Sequence, residues 1–489
     1  GIRDFCLSRG LGDVYKRQTF MLKRMRSFLV LVMLFIAVTM SAQVTTATMS
    51  GKVTAQDEPI IGATVVAVHE PSGTRYGTVT NVSGQFNLQG MRTGGPYKVE
   101  ISYVGYQTAI YKGINLLLGE NYVLNVSLKE SSELLDEVVV TASKESNMKS
   151  DRAGAIMNAN RDMINSTPTI SRSISDIMRL SPQGADVGNG FAVGGGNYRQ
   201  SFVTVDGAAF NNTFGLGGNL PANGSPISLD ALEQVTVAVT PFDVRQSGFT
   251  GGAINAVTRS GDNQFRGTVY GYFNNENLRG DRVEDYKLTR SKSQYYTYGA
   301  SFGGPIIKDK LFFFVNGEYE DNVTAGSSYQ PRTSLDQEYT GNVRRPVENT
   351  IVDGNETWVG LNDMRQYLKE KYNYDPGRYN NYSVNTPAYR IMARLDWNAN
   401  LNNKLSLRFT KTHTKDSNFP SSSTSPLSAD DIYPGDTGLG IPKGKDSGRS
   451  TKYSMSFENS NYYQVRDFTS VAGEWNSRFA NGAMNNMLR

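Results

Sequence analysis

At 489 residues the chain is long enough for about three domains of ordinary size, which excludes a single small core. Its formal charge of +4 does not argue for nucleic-acid binding, because the first 20 residues contribute +2 and Lys23, Arg24 and Arg26 contribute +3, leaving −1 for the rest. Cys6 is the only cysteine and precedes all of these domains, so disulfides, a cysteine nucleophile and structural zinc are excluded from them. With 49 Gly and 27 Tyr the composition is that of a mainly β protein.

Met21 opens a secretory leader over 21–42. Lys23, Arg24 and Arg26 form its charged region, Phe28 to Val38 its apolar stretch, and Ser41-Ala42 the small residues before cleavage near Gln43. No cysteine follows the apolar run, so a lipid-anchored lipoprotein is not expected. Residues 1–20 precede the charged region, resemble translated read-through at the edge of an assembled fragment, and are not expected to belong to the folded protein.

Over 46–130, short alternating runs such as Thr64-Val65-Val66-Ala67-Val68, Gly84-Gln85-Phe86-Asn87-Leu88 and Tyr97-Lys98-Val99-Glu100-Ile101 are separated by turn residues, which predicts a β-sandwich. Gly62-Ala63-Thr64-Val65, Thr80 to Phe86 and Val99 to Tyr106 resemble the carboxypeptidase-regulatory-like domain. The resemblance implies a prealbumin-like sandwich without catalytic residues of its own. In the linker 131–149, Glu137-Val138-Val139-Val140-Thr141-Ala142 is a strong strand former with no hairpin partner close in sequence. It resembles the TonB box of TonB-dependent outer-membrane receptors, which pairs by strand addition with a periplasmic energising protein. The other reading of the same residues is one more strand of the sandwich.

Residues 150–260 are Gly-rich without being low-complexity. Ser173-Ile174-Ser175-Asp176 is a helix start, Ser181-Pro182 its stop, and Phe202 to Val205 a strand that ends in the Asp206-Gly207 turn. Together with Glu233 to Val239 and Gly251-Gly252-Ala253-Ile254-Asn255, this order resembles the α+β plug domain of TonB-dependent receptors, in its Oar-like branch. The DNN-type motif of the SusC-like glycan importers is absent. In such a plug the Gly251-Gly252 pair is expected to let the backbone pass close to a barrel wall. Gly194, Gly195, Gly196, Asn197 and Arg199 are candidates for the ligand-facing apex, and Arg245 and Arg259 for plug-to-barrel contacts. The Gly194–Gly196 run lacks the GKS or GKT ending of a phosphate-binding loop.

From 264 to 489 the alternation lengthens. Phe313, Val315, Gly317 and Tyr319 alternate with Phe314, Asn316, Glu318 and Glu320, and Ile391, Ala393, Leu395 and Trp397 with Met392, Arg394, Asp396 and Asn398. One apolar and one charged face per strand is the pattern of an outer-membrane barrel. Strands are predicted near 266–277, 293–303, 311–321, 387–398, 404–415, 466–479 and 484–489, joined by alternating short and long links. Nineteen of the 27 Tyr fall after Gln264, as aromatic girdles require. Plugged transporters of this class need about 22 strands, so seven imply an N-terminal fragment of a longer product.

His69 and His413 are the only histidines and fall in different domains, which leaves no material for a Ser-His-Asp triad or a histidine metal site. No catalytic residue, cofactor or metal is assigned. The fold expected is a prealbumin-like β-sandwich, an α+β plug domain and the first strands of a truncated transmembrane β-barrel. The family resemblance implies uptake of an unknown extracellular ligand across the outer membrane of a Gram-negative bacterium, with the sandwich and TonB box in the periplasm. Its partners would be a TonB-type protein supplying proton-motive energy, outer-membrane lipid and, in the glycan-importer branch, a surface lipoprotein. A cell-surface adhesion or structural β-protein is the reading from another class.

Overall fold

The computed structural model describes residues 44–130, 138–141, 156–169, 172–187, 190–212, 220, 225–239, 250–278, 280, 282–283, 286–287, 292–339, 342–419, 454–479 and 484–489. The leader over 1–42, Glu137, Ala142, Arg245 and the loop 420–453 lie outside the described residues.

The sandwich forms because its strands alternate strictly enough to bury one face each. Its first sheet is built on β1 (Ala47–Ala55), which pairs antiparallel with β4 (Gln85–Met91) and parallel with the short strands Asn121–Val123 and Val126–Ser127. The second sheet has the order β3 (Thr74–Val79), β2 (Thr64–His69), β5 (Gly94–Ser102), β6 (Ala109–Leu116) and β7 (Val138–Thr141). Met49, Val53 and Leu88 of the first sheet meet Val65, Ala67, Tyr97, Val99 and Ile101 of the second in one closed core. β7 lies parallel to β6, Val138 opposite Ala109 and Thr141 opposite Lys112, so the strand-forming linker segment pairs with the edge of the sandwich.

The plug is a five-stranded sheet in the order β8 (Ile156–Asn160), β11 (Leu232–Ala238), β12 (Ala253–Thr258), β9 (Phe202–Val205) and β10 (Ala208–Ala209). Its register sorts side chains into rows. Asn158, Thr236, Asn255 and Thr204 stand opposite one another across four strands, while Ala159, Val235, Ala256 and Val205 form the adjoining apolar row. The apolar row packs with Ile174, Ile177 and Met178 of α2 (Ile174–Met178), which follows α1 (Arg161–Ser166) in the chain. The Asn160 side chain caps α1 by accepting from the Met163 N–H at 3.0 Å, and the Ser173 N–H donates to Asp176 Oδ2 at 3.3 Å at the start of α2.

The third body is an antiparallel meander of seven strands, each paired with its neighbours in sequence: β13 (Arg266–Asn275), β14 (Ser293–Ile307), β15 (Leu311–Ala325), β16 (Ala388–Asn398), β17 (Asn403–Asn418), β18 (Tyr462–Phe479) and β19 (Met484–Leu488). Among the described residues the sheet does not close, and β13 and β19 each pair on one side only. The described links 308–310 and 399–402 lie at one end of the sheet, and the described residues of the long link between β15 and β16 lie at the other. The faces are inverted relative to a soluble sheet. Val269, Val315, Ile391, Leu395, Leu407 and Val471 are exposed, while Asn316, Glu318, Arg390, Arg394, Arg408 and Glu474 are buried. Water does not favour that distribution; a lipid exterior and a filled polar interior do.

The plug sits against the polar face. The close approach of backbone to wall falls at Gly261, where a Cβ would lie 2.4 Å from Phe313 O and 2.7 Å from Gly304 O. Gly251 and Gly252 do not make that approach. A Cβ on Gly252 meets Val193 at 2.4 Å and one on Gly251 meets Gln200 at 3.4 Å, both within the plug, because these glycines precede β12 and pack on its neighbours.

His69 yields a test of the sandwich. Its imidazole is buried, with Nδ1 2.7 Å from Ser72 Oγ and its ring 5.0 Å from that of Tyr97. Burial, aided by the Arg92 charge, pulls its pKa down to about 3. The folded protein therefore binds fewer protons than the unfolded chain between pH 6.5 and about 3. The stability this contributes is complete above pH 6.5 and declines by about 1.4 kcal/mol per pH unit as pH falls through that window. Titration of the two histidine ring signals by NMR should show His69 neutral at pH 5, and His69→Gln should flatten the acid slope of the unfolding free energy.

Candidate functional site

The strand period places every second side chain of β15, β16 and β17 on the inner face, where charged groups close into pairs. Arg390 bridges Glu318 at 3.0 Å and Glu320 at 2.8 Å, and its Nε donates to the plug carbonyl of Ser225 at 2.6 Å. Ser228 Oγ donates to Glu318 Oε2 at 2.8 Å, and the Tyr270 hydroxyl donates to the same oxygen at 2.5 Å. Thr412 Oγ1 donates to Pro226 O at 2.8 Å. This stretch of plug loop is thus held by three barrel strands at once.

A second group forms nearer the short links. Asp206 and Gly207 both take positive φ, the geometry of a tight two-residue hairpin between β9 and β10. That turn presents the Asp206 carboxylate, which accepts from the Thr258 N–H at 3.0 Å and hydroxyl at 2.5 Å. Arg394 and Arg408 stand 3.8 and 3.7 Å from it. Arg394 also pairs with Asp396 at 2.8 Å and donates to Thr258 O at 2.7 Å, while Arg408 reaches Glu474 at 3.2 Å. Buried charges of this kind are tolerated only when paired.

Arg259 follows β12 and lies 3.6 Å from Asp230, 3.4 Å from Ser301 Oγ on β14 and 4.7 Å from the Phe314 ring centre on β15. Burial, then the Arg161 charge, lowers its pKa to about 10, with Asp230 opposing. Arg245 lies outside the described residues. Gly194 and Gly195 take positive φ in the turn after Phe191–Val193, and Gly196 would place a Cβ 3.7 Å from Gly251 Cα. The Gly194–Arg199 turn therefore lies at the end of β12 away from Thr258. Asn197 Oδ1 accepts from the Arg199 N–H at 3.0 Å, and Arg199 is exposed with Nε 3.0 Å from the Tyr198 hydroxyl. Of the residues that resemble a TonB box, Val138, Val139, Val140 and Thr141 are β7, on the sandwich edge.

Two cavities flank the plug. One of about 350 Å³, toward the long loops, is lined by Ser173, Tyr295, Glu320, Asn322, Arg390 and Ser417. Ser417 Oγ is buried there without a hydrogen-bond partner among the described residues. The other, about 290 Å³, is the junction of sandwich, plug and barrel sheet, with Tyr76, Arg92, Glu233, Arg259, Asp396 and Lys404 on its walls. Neither is lined by Gly194 to Arg199. Beyond the first cavity the long loop between β15 and β16 is folded. It contains α3 (Leu361–Tyr372) and a cluster in which Tyr339 and Trp358 each lie within 5.8 Å of both the Arg332 and Arg345 guanidinium carbons. Among the described residues no group of three His, Cys, Asp or Glu is placed to hold a metal.

Asp206, Ser228 and Thr258 were not singled out by sequence. The available signal for Asp206 was its Asp-Gly turn, which identifies a hairpin but not the arginines that meet it. Removing this carboxylate leaves Arg394 and Arg408 their closer partners Asp396 and Glu474 but takes away the second one and both Thr258 hydrogen bonds. Asp206→Ala is expected to cost about 1–3 kcal/mol, read as a lower urea concentration at which trypsin cleaves the plug, with Asp206→Asn intermediate.

Two family models match the chain, the carboxypeptidase regulatory-like domain over residues 48–129 and the outer membrane beta barrel domain over 257–449. The TonB-dependent transporter Oar of Myxococcus xanthus is 25% identical over 300 residues, covering 59% of this chain and 26% of the relative. The TonB-dependent receptor SusC of Bacteroides thetaiotaomicron is 29% identical over 221 residues, covering 42% and 20%. The chain spans about a quarter of the length of the curated relatives it matches. Among solved structures, the outer membrane transporter YddB of Escherichia coli is similar with a TM-score of 0.41 and 12% identity, over 67% of this chain and 37% of that one. These relatives are receptors and transporters rather than enzymes. The two domain matches in this order and the Oar relative support a TonB-dependent receptor of the Gram-negative outer membrane with an N-terminal carboxypeptidase regulatory-like domain.

Proposed function

We propose that the protein takes up an extracellular ligand across the outer membrane, with energy delivered through Glu137–Ala142 by a TonB-type periplasmic partner, and that it catalyses no reaction. The observation that carries this reading is the plug sheet held by buried ion pairs and hydrogen bonds on the polar face of a lipid-type sheet. A static adhesin has no use for a polar interior filled by a separately folded domain. A transporter needs an obstruction that is well held at rest and removable by work, since binding energy alone does not move a solute uphill.

The cavity toward the long loops supports binding of a polar ligand. Its walls offer the Tyr295 and Phe419 rings beside the Glu320–Arg390 pair, Asn322 and the Ser417 hydroxyl, which has no hydrogen-bond partner among the described residues, a mixed lining in which a few polar groups would orient the ligand. The Arg332, Arg345, Tyr339 and Trp358 cluster in the folded loop adds stacking surfaces and cations beyond it. On the opposite side, Val138–Thr141 pairs as a strand with β6. Addition to a periplasmic partner would exchange one set of backbone hydrogen bonds for another, which keeps the exchange close to balanced.

Val139→Pro removes a backbone donor from this strand and opposes pairing with any partner. Capture of the protein by the periplasmic C-terminal domain of its TonB-type partner should fall at least about tenfold, while Val139→Ile leaves it unchanged. Equal capture of Val139→Pro and the parent would reduce the segment to a sandwich strand and remove the energy input from this reading.

A further inference from the structure

The sandwich is fixed across the short-link end of both other bodies. Toward the barrel sheet, Asn398 Nδ2 donates to Thr74 Oγ1 at 2.9 Å, Arg478 Nη1 donates to Gly77 O at 2.7 Å, and the Lys404 ammonium stands 3.8 Å from the Tyr76 ring centre. Thr74, Tyr76 and Gly77 all belong to β3, an edge strand of its sheet. The turn before β3 leans on the same wall. The Asn263 N–H donates to Pro71 O at 3.0 Å, and Gly73, at φ +61°, passes so close to Asp309 that a Cβ would overlap its carboxylate. Toward the plug, the Leu118 N–H donates to Gln234 Oε1 at 3.1 Å. Arg92 serves both bodies. It reaches Gly261 O at 3.4 Å, where the plug leads into the barrel sheet, and Asp396 of β16 at 3.9 Å.

These contacts are mostly polar and directional. Among the described residues, the apolar cluster that bridges sandwich and plug consists of Val44, Leu118 and Val257 alone. Domain interfaces of this composition open and close, because water replaces each lost hydrogen bond and little apolar area must be exposed. Their position matters as much as their chemistry. The cavity of about 290 Å³ lies inside this ring of contacts, with Thr258 and Ser260 of the plug, Leu405 and Arg408 of the wall, and Tyr76 and Arg92 of the sandwich on its sides. A passage opened between the plug and β16 or β17 at this end runs into that cavity and meets the sandwich.

We propose that the sandwich is a lock: docked through β3 and Arg92, it closes the mouth beneath the plug, and it must be released before the cavity opens to the periplasm. The chain order shows how a pull would release it. Val138–Thr141 is joined to the sandwich by the link 131–137 and to the plug by the longer link 142–155, so tension applied to this strand tightens the shorter link and reaches the sandwich first. Release by a pull rests on the uptake reading; the lock itself rests on the contacts of the three bodies.

The test uses one reporter thiol and needs neither a ligand nor an energising partner. Cys6 is the only cysteine, so in a Cys6→Ser background Ser260→Cys places a single thiol on the cavity wall. Outer-membrane fragments are treated with a membrane-impermeant maleimide, and the labelling rate follows the fraction of time the mouth is open. Arg92→Gln on the sandwich and Arg478→Gln on the wall should each raise that rate about fivefold, the effect of one lost contact. Arg75→Gln, on the exposed face of β3, should leave it unchanged. Trypsin cutting within 44–130 should stay at the parent rate in all three. A second protein needs no weakened contact: in the same background without the reporter, Thr74→Cys/Asn398→Cys should be joined by a short bis-maleimide in most molecules, read by mass spectrometry of the linked peptides. Parent-rate labelling of both variants, faster labelling seen only together with trypsin cutting inside the sandwich, or the absence of a link between positions 74 and 398 would each overturn the proposal.

Discussion

The constraint on which the rest depends is the inversion of the seven-stranded sheet. Its exposed face is apolar and its buried face is charged, so the ordinary driving force for packing a domain onto a sheet is missing on the inner side. Whatever fills that side must offer polar groups at matching heights. The plug does so with main-chain carbonyls of Ser225, Pro226 and Thr258 offered to Arg390, Thr412 and Arg394, with the Ser228 hydroxyl given to Glu318, and with the carboxylates of Asp206, aimed at Arg394 and Arg408, and Asp230, which accepts from Thr268. Apolar contact adds to these where Phe314 and Met392 join the plug core.

An interface of this kind differs from a hydrophobic one in how it yields. Ion pairs and hydrogen bonds lose their strength over short displacements and are replaced by water once water enters, whereas buried apolar area is lost only in proportion to exposure. A plug held mainly by directional contacts can therefore be firmly seated and still be moved by a pull applied at one end. The sandwich lies at the short-link end of the plug. Its Arg92 approaches Asp396 at 3.9 Å and its Tyr76 ring lies under Lys404, so it shares the cavity in which plug and barrel sheet meet.

Much of this was legible in the sequence because it is local. The alternation of Ile391, Ala393, Leu395 and Trp397 with Arg394 and Asp396 needs only the period of a strand, and it gave both the strand, observed as Ala388–Asn398, and its charged face. The helix start at Ser173 and the hairpin at Asp206-Gly207 are likewise four-residue signals. The outer ends were less legible: β17 and β18 extend to Asn418 and back to Tyr462, past the predicted ends, since the residues there are polar on both faces and pair by contacts such as Asp416 with Arg466, which no alternation reveals.

By itself the sequence determined the strand faces, the order of sandwich, plug-like segment and barrel strands, and the charged character of the inner wall, all of which follow from side-chain period and turn chemistry within a few residues. Only the tertiary structure decided which charges meet. Asp206 and Arg394 are 188 positions apart, and no periodicity relates them. The same holds for Gly261, whose missing side chain matters only because Phe313 and Gly304 pass beside it, and for Val138–Thr141, whose partner is the edge of a strand about 30 residues earlier. Local sequence specifies what a segment can offer, and the register of distant strands specifies what it is offered to.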